Sequence, residues 1–189
     1  AYAIVHPMHP EFDYPFKYLC GAGVAYKLAQ ALLENVPNYF KAYAAIGTIA
    51  DLVSLTDENR SIVQHGLKVM NDSCPVAVKA LLKQAGYNDD ITEETIGFII
   101  GPRLNAVGRL EDASLAAELL MSDSEDEAEF LAEQVEHFNQ ERKDIVAHIT
   151  EEALAIAKDY VSQGHQFLLL AKEDWHEGVL GLSLIHISD

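Results

Sequence analysis

Nine consecutive residues, Gly101 to Arg109, combine residue types that suit the binding of an anion. They read Gly-Pro-Arg-Leu-Asn-Ala-Val-Gly-Arg and follow an apolar run that ends at Ile100. Glycine lets a backbone approach a ligand closely, and the planar guanidinium group of arginine matches the oxygens of a phosphate. The segment therefore predicts an anion site built on Arg103 and Arg109, and the residue types favour phosphate as the anion.

The charge of the whole chain bears on this segment. The sequence has 30 acidic and 13 basic residues, which gives a net charge of −17. Nonspecific nucleic-acid binding normally requires a basic surface, so the composition argues against that class. Any polyanion must then be held by a local basic site or by metal ions. The competing interpretation is a Gly/Pro turn whose arginines pair with nearby acids such as Glu111 and Asp112. Composition alone leaves both interpretations open.

A single carboxylate, Asp51, lies inside the otherwise apolar segment from Phe40 to Leu55. Removing a carboxylate from water costs several kcal/mol unless it is paired. A metal ion or a charged partner would offset that cost, so the pattern predicts a buried Asp51 and favours metal binding. The alternative is that Asp51 ends one helix and begins a turn.

Helices must position most of these residues. A helix that begins at Thr92 is expected to run to Ile100 and into the arginine segment. Ser124 and Glu127 form a capping box, and neither glycine nor proline follows before Gly164. A continuous helix over residues 124–162 would be roughly 58 Å long. This length predicts a helix that connects two lobes, with a coiled-coil seam as the alternative.

Two apolar runs predict buried strands, one at Tyr2 to Val5 and one at Phe167 to Ala171. The second run, with the Trp-His-Glu-Gly that starts at Trp175, is expected to begin a second α/β lobe. Residues 183–189 are assigned no site. No apolar run reaches the roughly 18 residues of a membrane span, so a soluble protein is expected.

Five stretches, in this order and spacing, resemble the RecJ family of single-strand-specific exonucleases in the DHH phosphoesterase superfamily. The five are Tyr14–Phe16, Leu19–Ala25, Ala45–Val53, Gly101–Arg109 and Trp175–Val179. The resemblance implies a predominantly helical α/β fold. It divides the chain into the C-terminal part of a DHH domain at residues 1–123, a connecting helix at 124–162 and the beginning of a DHHA1 domain at 163–189.

The resemblance also implies roles for individual residues. Asp51 matches a catalytic aspartate that binds Mn²⁺ or Mg²⁺ in the family. Arg103, Asn105 and Arg109 match a phosphate-binding motif and would hold the nucleic-acid backbone. His176 matches a segment on the substrate side of the DHHA1 lobe.

The activity that the resemblance implies is metal-dependent 5′-to-3′ hydrolysis of single-stranded DNA in repair and recombination. The implied partners are single-stranded DNA and DNA-repair proteins, with no membrane, and the implied location is cytoplasmic. The Asp-His-His sequence that names the superfamily is absent and is expected upstream of Ala1, so the 189 residues alone are expected to be inactive. Two alternatives stay open: a DHH/DHHA1 phosphoesterase that acts on oligonucleotides or cyclic dinucleotides, and a non-catalytic helical interaction module.

Overall fold

The computed structural model describes the backbone of residues 3–184 and the side chains of residues 3–182. Within this range every regular element is helical, so the predominantly helical character is confirmed. The elements are α1 (Gly21–Leu32), α2 (Asn38–Ala50), α3 (Asp57–Asp72), α4 (Val76–Gln84), α5 (Glu93–Thr95), a π-helical turn (Ile96–Ile100), α6 (Gly101–Leu110), α7 (Ser114–Met121), α8 (Glu125–Ser162) and α9 (Glu177–Leu184). None of these helices is both long and apolar enough to cross a membrane.

The pair α2 and α3 forms one side of the core. Ala42, Ala45, Ile46 and Ile49 follow the spacing of one helical face, and all four are buried. The facing helix α3 places Gly66 against this surface, where a Cβ atom would overlap the Cβ of Ala45. Glycine at this position therefore lets the two helices approach closely.

The long helix α8 confirms the prediction of a continuous helix. It has 38 residues, which corresponds to about 57 Å. The Ser124 hydroxyl caps its first turn by accepting a hydrogen bond from the Glu127 N–H at 3.4 Å. Helix α8 packs against α4, α6, α7 and α9. The helix thus joins the helical core to the C-terminal segment. Its buried residues include Ala128, Leu131, Ala132, Val135, Ile149, Ala153 and Ala157.

Both strand predictions are wrong over the residues that the structure describes. Ala3 to Val5 are irregular and exposed, while Tyr2 lies outside the described range. Residues 167–171 are also irregular, and Phe167 and Leu169 are 92% and 91% exposed. A strand needs a neighbouring strand to satisfy its backbone groups, and residues 3–184 contain none. Apolar composition alone therefore did not place these runs in a sheet.

Candidate functional site

The arginine segment is a helix, so the competing interpretation of a Gly/Pro turn is wrong. It forms α6, and the π-helical turn Ile96–Ile100 leads directly into it. Proline has no N–H to donate and is tolerated in the first turn of a helix, where Pro102 lies. The wider π turn, in which the Gly101 N–H donates to the Ile96 carbonyl, accommodates it. Such turns recur at functional sites.

Asp51 is exposed, so the prediction that it is buried is wrong. It ends α2, and its backbone N–H donates to the Gly47 carbonyl at 3.0 Å, as the capping alternative expected. The preceding residue, Ala50, lies against the start of α6, because a Cβ on Gly101 would be 3.4 Å from the Ala50 Cβ. The Asp51 carboxylate is therefore accessible. It is the next residue along the chain after the contact between α2 and α6, the helix that carries Arg103.

The backbone is strained at both ends of the connection between α2 and α3. Leu52 has a φ of 56° and Asp57 a φ of 44°, both in the left-handed region that L-residues avoid. The Leu52 side chain is 89% exposed, so packing does not compensate for this conformation. Strained backbone of this kind clusters at functional sites. The turn is thus a second reason to regard the Asp51 region as a candidate site.

Replacing Leu52 with glycine is expected to raise the free energy of unfolding by about 0.5–1 kcal/mol. The gain arises because glycine removes a left-handed strain of about 1–2 kcal/mol, at an entropic cost of about 0.5–1 kcal/mol. Urea denaturation measures the difference. Leu52→Ala keeps a Cβ atom and is the matched control, for which no gain is expected. A glycine variant less stable than the alanine variant would contradict the left-handed conformation.

A buried amide fastens this turn to the rest of the chain. Asn59, on α3, is fully buried and its Nδ2 donates to the Ser54 carbonyl at 3.0 Å and the Tyr18 carbonyl at 2.8 Å. One side chain therefore ties the loop after Asp51 to the segment before α1. Sequence reasoning missed Asn59. The sequence does carry a signal for it, because Asn59 precedes Ile62 by three residues and Val63 by four, and this spacing puts its amide on the apolar face of α3.

Arg103 is held in an ion pair. Its side chain is 11% exposed, and its Nε donates to the Glu136 carboxylate on α8 at 2.5 Å. Its Nη1 donates to the Ile99 carbonyl at 2.8 Å. The turn interpretation predicted that the arginines pair with acidic residues. Arg103 does pair with one, but the partner is Glu136 and not the predicted Glu111 or Asp112. Arg103 thus retains only part of its guanidinium group for a ligand.

Arg109 and His176 are brought together at the junction of α6 and α9. The exposed Arg109 donates from Nη1 to the Gly178 carbonyl at 3.0 Å. The Gly178 N–H in turn donates to Nδ1 of the exposed His176 at 3.2 Å. A Cβ on Gly178 would overlap the Arg109 carbonyl, so this approach requires glycine. Asn105, also exposed, lies on α6 between the two arginines.

The segment that carries His176 is anchored to the long helix. Glu152 of α8 accepts hydrogen bonds from the Lys172 Nζ at 2.6 Å and the Trp175 Nε1 at 2.9 Å. The hydrogen bond from Lys172, followed by that from Trp175, lowers the pKa of the Glu152 carboxyl. The carboxylate is therefore kept ionised, and it positions the chain just before His176.

Arg142 is a further cationic group of this region that sequence reasoning did not assign. It lies on α8, and its Nη2 donates to the Asn139 Oδ1 at 3.1 Å. The Asn139 Nδ2 donates to Glu136 at 3.2 Å, which links Arg142 through Glu136 to Arg103. Burial, followed by the positive charges of Arg109 and Arg103, lowers the pKa of the Arg142 guanidinium group. The three arginines are thus close enough to influence one another.

The described residues do not form a complete metal site. In residues 3–184, no group of three or more His, Cys, Asp or Glu side chains is arranged to hold a metal ion. Mg²⁺ and Mn²⁺ favour six oxygen ligands in octahedral geometry, which one exposed carboxylate does not supply. Asp51 therefore contributes at most one ligand to such a site.

The chain is similar in sequence to known RecJ proteins. It is 46% identical over 183 residues to the single-stranded-DNA-specific exonuclease RecJ of Bacillus subtilis, a match that covers 95% of the chain and 23% of that protein. It is 35% identical to the RecJ of Haemophilus influenzae, with 99% of the chain and 36% of that protein covered. The chain thus spans between about a quarter and a third of the length of these curated relatives. No protein-family model matches it.

Solved structures show the same fold. RecJ from Thermus thermophilus in complex with Mn²⁺ matches with a TM-score of 0.78 at 30% identity, over 93% of the chain and 26% of that protein. An exonuclease RecJ bound to manganese matches with a TM-score of 0.76 at 29% identity, over 95% of the chain and 46% of that protein. A complex of the Thermus protein with Mg²⁺ matches with a TM-score of 0.77 at 28% identity, over 95% of the chain and 29% of that protein.

Proposed function

The chain belongs to the RecJ family over the segment that it spans, and we propose that it contributes to a metal-dependent exonuclease specific for single-stranded DNA. The reaction is hydrolysis of phosphodiester bonds, in the 5′-to-3′ direction, within DNA repair and recombination. Its substrate partner is single-stranded DNA, and DNA-repair proteins are its proposed protein partners. This activity belongs to the intact protein that contains the segment.

One observation supports the proposal: the exposed Asp51 directly follows α2, whose last residue, Ala50, lies against Gly101 at the start of the arginine-bearing helix α6. Arg103 and Arg109 lie on the helix that begins there. Such a concentration of positive charge stands out in a chain with a net charge of −17. A phosphodiester and a divalent metal ion require these two kinds of group side by side.

Each side chain has a proposed task in this arrangement. Asp51 supplies one carboxylate ligand to Mn²⁺ or Mg²⁺, and the metal, when bound, activates water and neutralises charge on the scissile phosphate. Arg109 and Asn105, both exposed on α6, bind phosphate oxygens of the DNA backbone. Arg103, held by Glu136, adds positive charge and its remaining guanidinium N–H groups. His176 contacts the substrate from its position just before α9.

The proposal is tested with the intact protein and end-labelled DNA. Single-stranded DNA is expected to be shortened from its 5′ end in the presence of Mn²⁺, and duplex DNA of the same sequence is expected to resist. EDTA is expected to abolish hydrolysis, and added Mn²⁺ is expected to restore it. Hydrolysis that persists undiminished in EDTA would rule out the metal-dependent reaction.

The 189 residues by themselves provide a second test. We expect them to show no hydrolysis under the same conditions, because residues 3–184 lack a complete set of metal ligands. Robust turnover by the purified 189-residue chain would contradict the proposal that the activity requires the intact protein.

A further inference from the structure

We propose that Arg142 of the connecting helix α8 forms an anion site together with Arg103 and Arg109, and that this site binds a backbone phosphate of single-stranded DNA. The proposal extends the function proposed above, on which the identity of the ligand rests. It adds a binding residue from a helix that otherwise serves as a connection between lobes.

The state of the Arg142 side chain is the first observation. Its Nε is buried and has no hydrogen-bond partner among the residues that the structure describes, although its Nη2 is bonded to Asn139. A buried donor without a partner destabilises the fold, and more so when the group is charged. Such a group in a native protein calls for an explanation, and a bound ion is one. A rotation of the side chain toward an oxyanion would give the Nε its missing acceptor.

The surrounding charges are the second observation. Arg103, Glu136, Asn139 and Arg142 form one hydrogen-bonded chain between α6 and α8. Glu136 balances one of the two arginines in this chain, and the positive charge of Arg109 also acts on Arg142, whose pKa it lowers. These three positive charges and one negative charge sum to +2, in a protein whose overall charge is −17.

The chemistry of the ligand follows from these groups. Guanidinium groups bind phosphate through paired N–H donors, which match its several oxygens. A carboxylate ligand is a poorer match because Glu136 already occupies that role for Arg103. With a phosphodiester bound by the arginines, Asn105 on α6 and His176 just before α9 remain available to contact neighbouring nucleotides of the strand.

The test measures binding of fluorescein-labelled single-stranded DNA to the intact protein in EDTA, where no hydrolysis occurs. Arg142→Gln is expected to raise the Kd about 10-fold, as loss of a charge-assisted contact implies. It is also expected to reduce the slope of log K against log salt by about 0.7, the value for one phosphate contact with a single strand. Lys143→Gln removes the same charge from the next, exposed residue and is the matched control.

The outcomes separate this proposal from the proposed function. Equal effects of Arg142→Gln and Lys143→Gln in a protein that hydrolyses single-stranded DNA would overturn the role of Arg142 and leave the exonuclease assignment standing. A wild-type protein that neither binds nor hydrolyses single-stranded DNA would instead overturn the exonuclease assignment.

A second measurement covers the case in which Arg142→Gln does not fold. Arg142→Lys keeps the charge but loses the planar fork. Inorganic phosphate is expected to raise the thermal unfolding temperature of the wild-type protein more than that of Arg142→Lys, because only the folded state binds the anion. An equal rise for both proteins would overturn the anion site.

Discussion

Replacing Asp51 with alanine in the intact protein is expected to lower the rate of single-stranded DNA hydrolysis by at least about 100-fold. Changes to residues that merely support a metal ligand cost about 10–100-fold, so loss of a ligand itself should reach or exceed that range. The side chain is exposed at the end of α2, so its removal should leave the fold intact. The measurement is the initial rate with saturating Mn²⁺.

The metal dependence provides a second readout for this site. If Asp51 is a ligand, the Mn²⁺ concentration that gives half-maximal rate should rise in Asp51→Asn, which keeps the size of the side chain but loses its charge. Asp72→Ala is the matched control, since this exposed carboxylate ends the neighbouring helix α3. Full activity of Asp51→Ala at low Mn²⁺ would show that Asp51 is not a metal ligand and only ends α2.

The long helix could be predicted from sequence because its signals are local. Ser124 and Glu127 mark its start, and an uninterrupted run of residues without glycine or proline extends it to Ser162. The strand at 167–171 was predicted from an equally local signal and is wrong. An apolar run indicates burial but does not identify a partner, and a strand exists only where another strand pairs with it.

The position of Asp51 illustrates the same limit at a finer scale. The segment around it is apolar, which suggested burial, but α2 ends at Ala50 and the chain turns outward there. A shift of one residue in the helix end decides whether a carboxylate faces the core or the solvent. Helix ends are among the least predictable features of a sequence.

The arginine site depended on contacts between distant parts of the chain. Arg103 pairs with Glu136, which is 33 residues away, and not with the acids close to it in sequence. Arg142 was assigned no role from the sequence, and its relation to Arg103 requires the packing of α8 on α6. The residue types of α6 pointed to an anion, whereas the members of the site became visible only in the fold.

The packing of α2 on α3 sets where Asp51 lies, and a single glycine permits it. A Cβ at Gly66 would lie 2.5 Å from the Lys41 carbonyl oxygen and would overlap the Ala45 Cβ. Neither neighbour can move as a flexible side-chain end could, because one is backbone and the other is a Cβ atom. Any larger residue must therefore push α2 away from α3.

Gly66→Ala is accordingly expected to lower the free energy of unfolding by about 2 kcal/mol. Alanine in a helix interior gains about 1 kcal/mol over glycine, and overpacking of a tight contact costs about 3 kcal/mol, so the steric cost wins. Urea denaturation measures the result. A displaced α2 should also move Asp51, so the variant is expected to hydrolyse single-stranded DNA more slowly even at temperatures where it remains folded.

The matched control for this prediction is Gly181→Ala. Gly181 lies in α9, and a Cβ there would have no neighbour within 4 Å among the described residues. At this position only the higher helix propensity of alanine should matter, so the substitution should stabilise the protein by up to about 1 kcal/mol. Opposite signs for the two variants would locate the effect of Gly66 in the contact between α2 and α3. A Gly66→Ala protein at least as stable as the wild type would instead mean that the two helices separate without cost, and Asp51 would then depend on other contacts for its position.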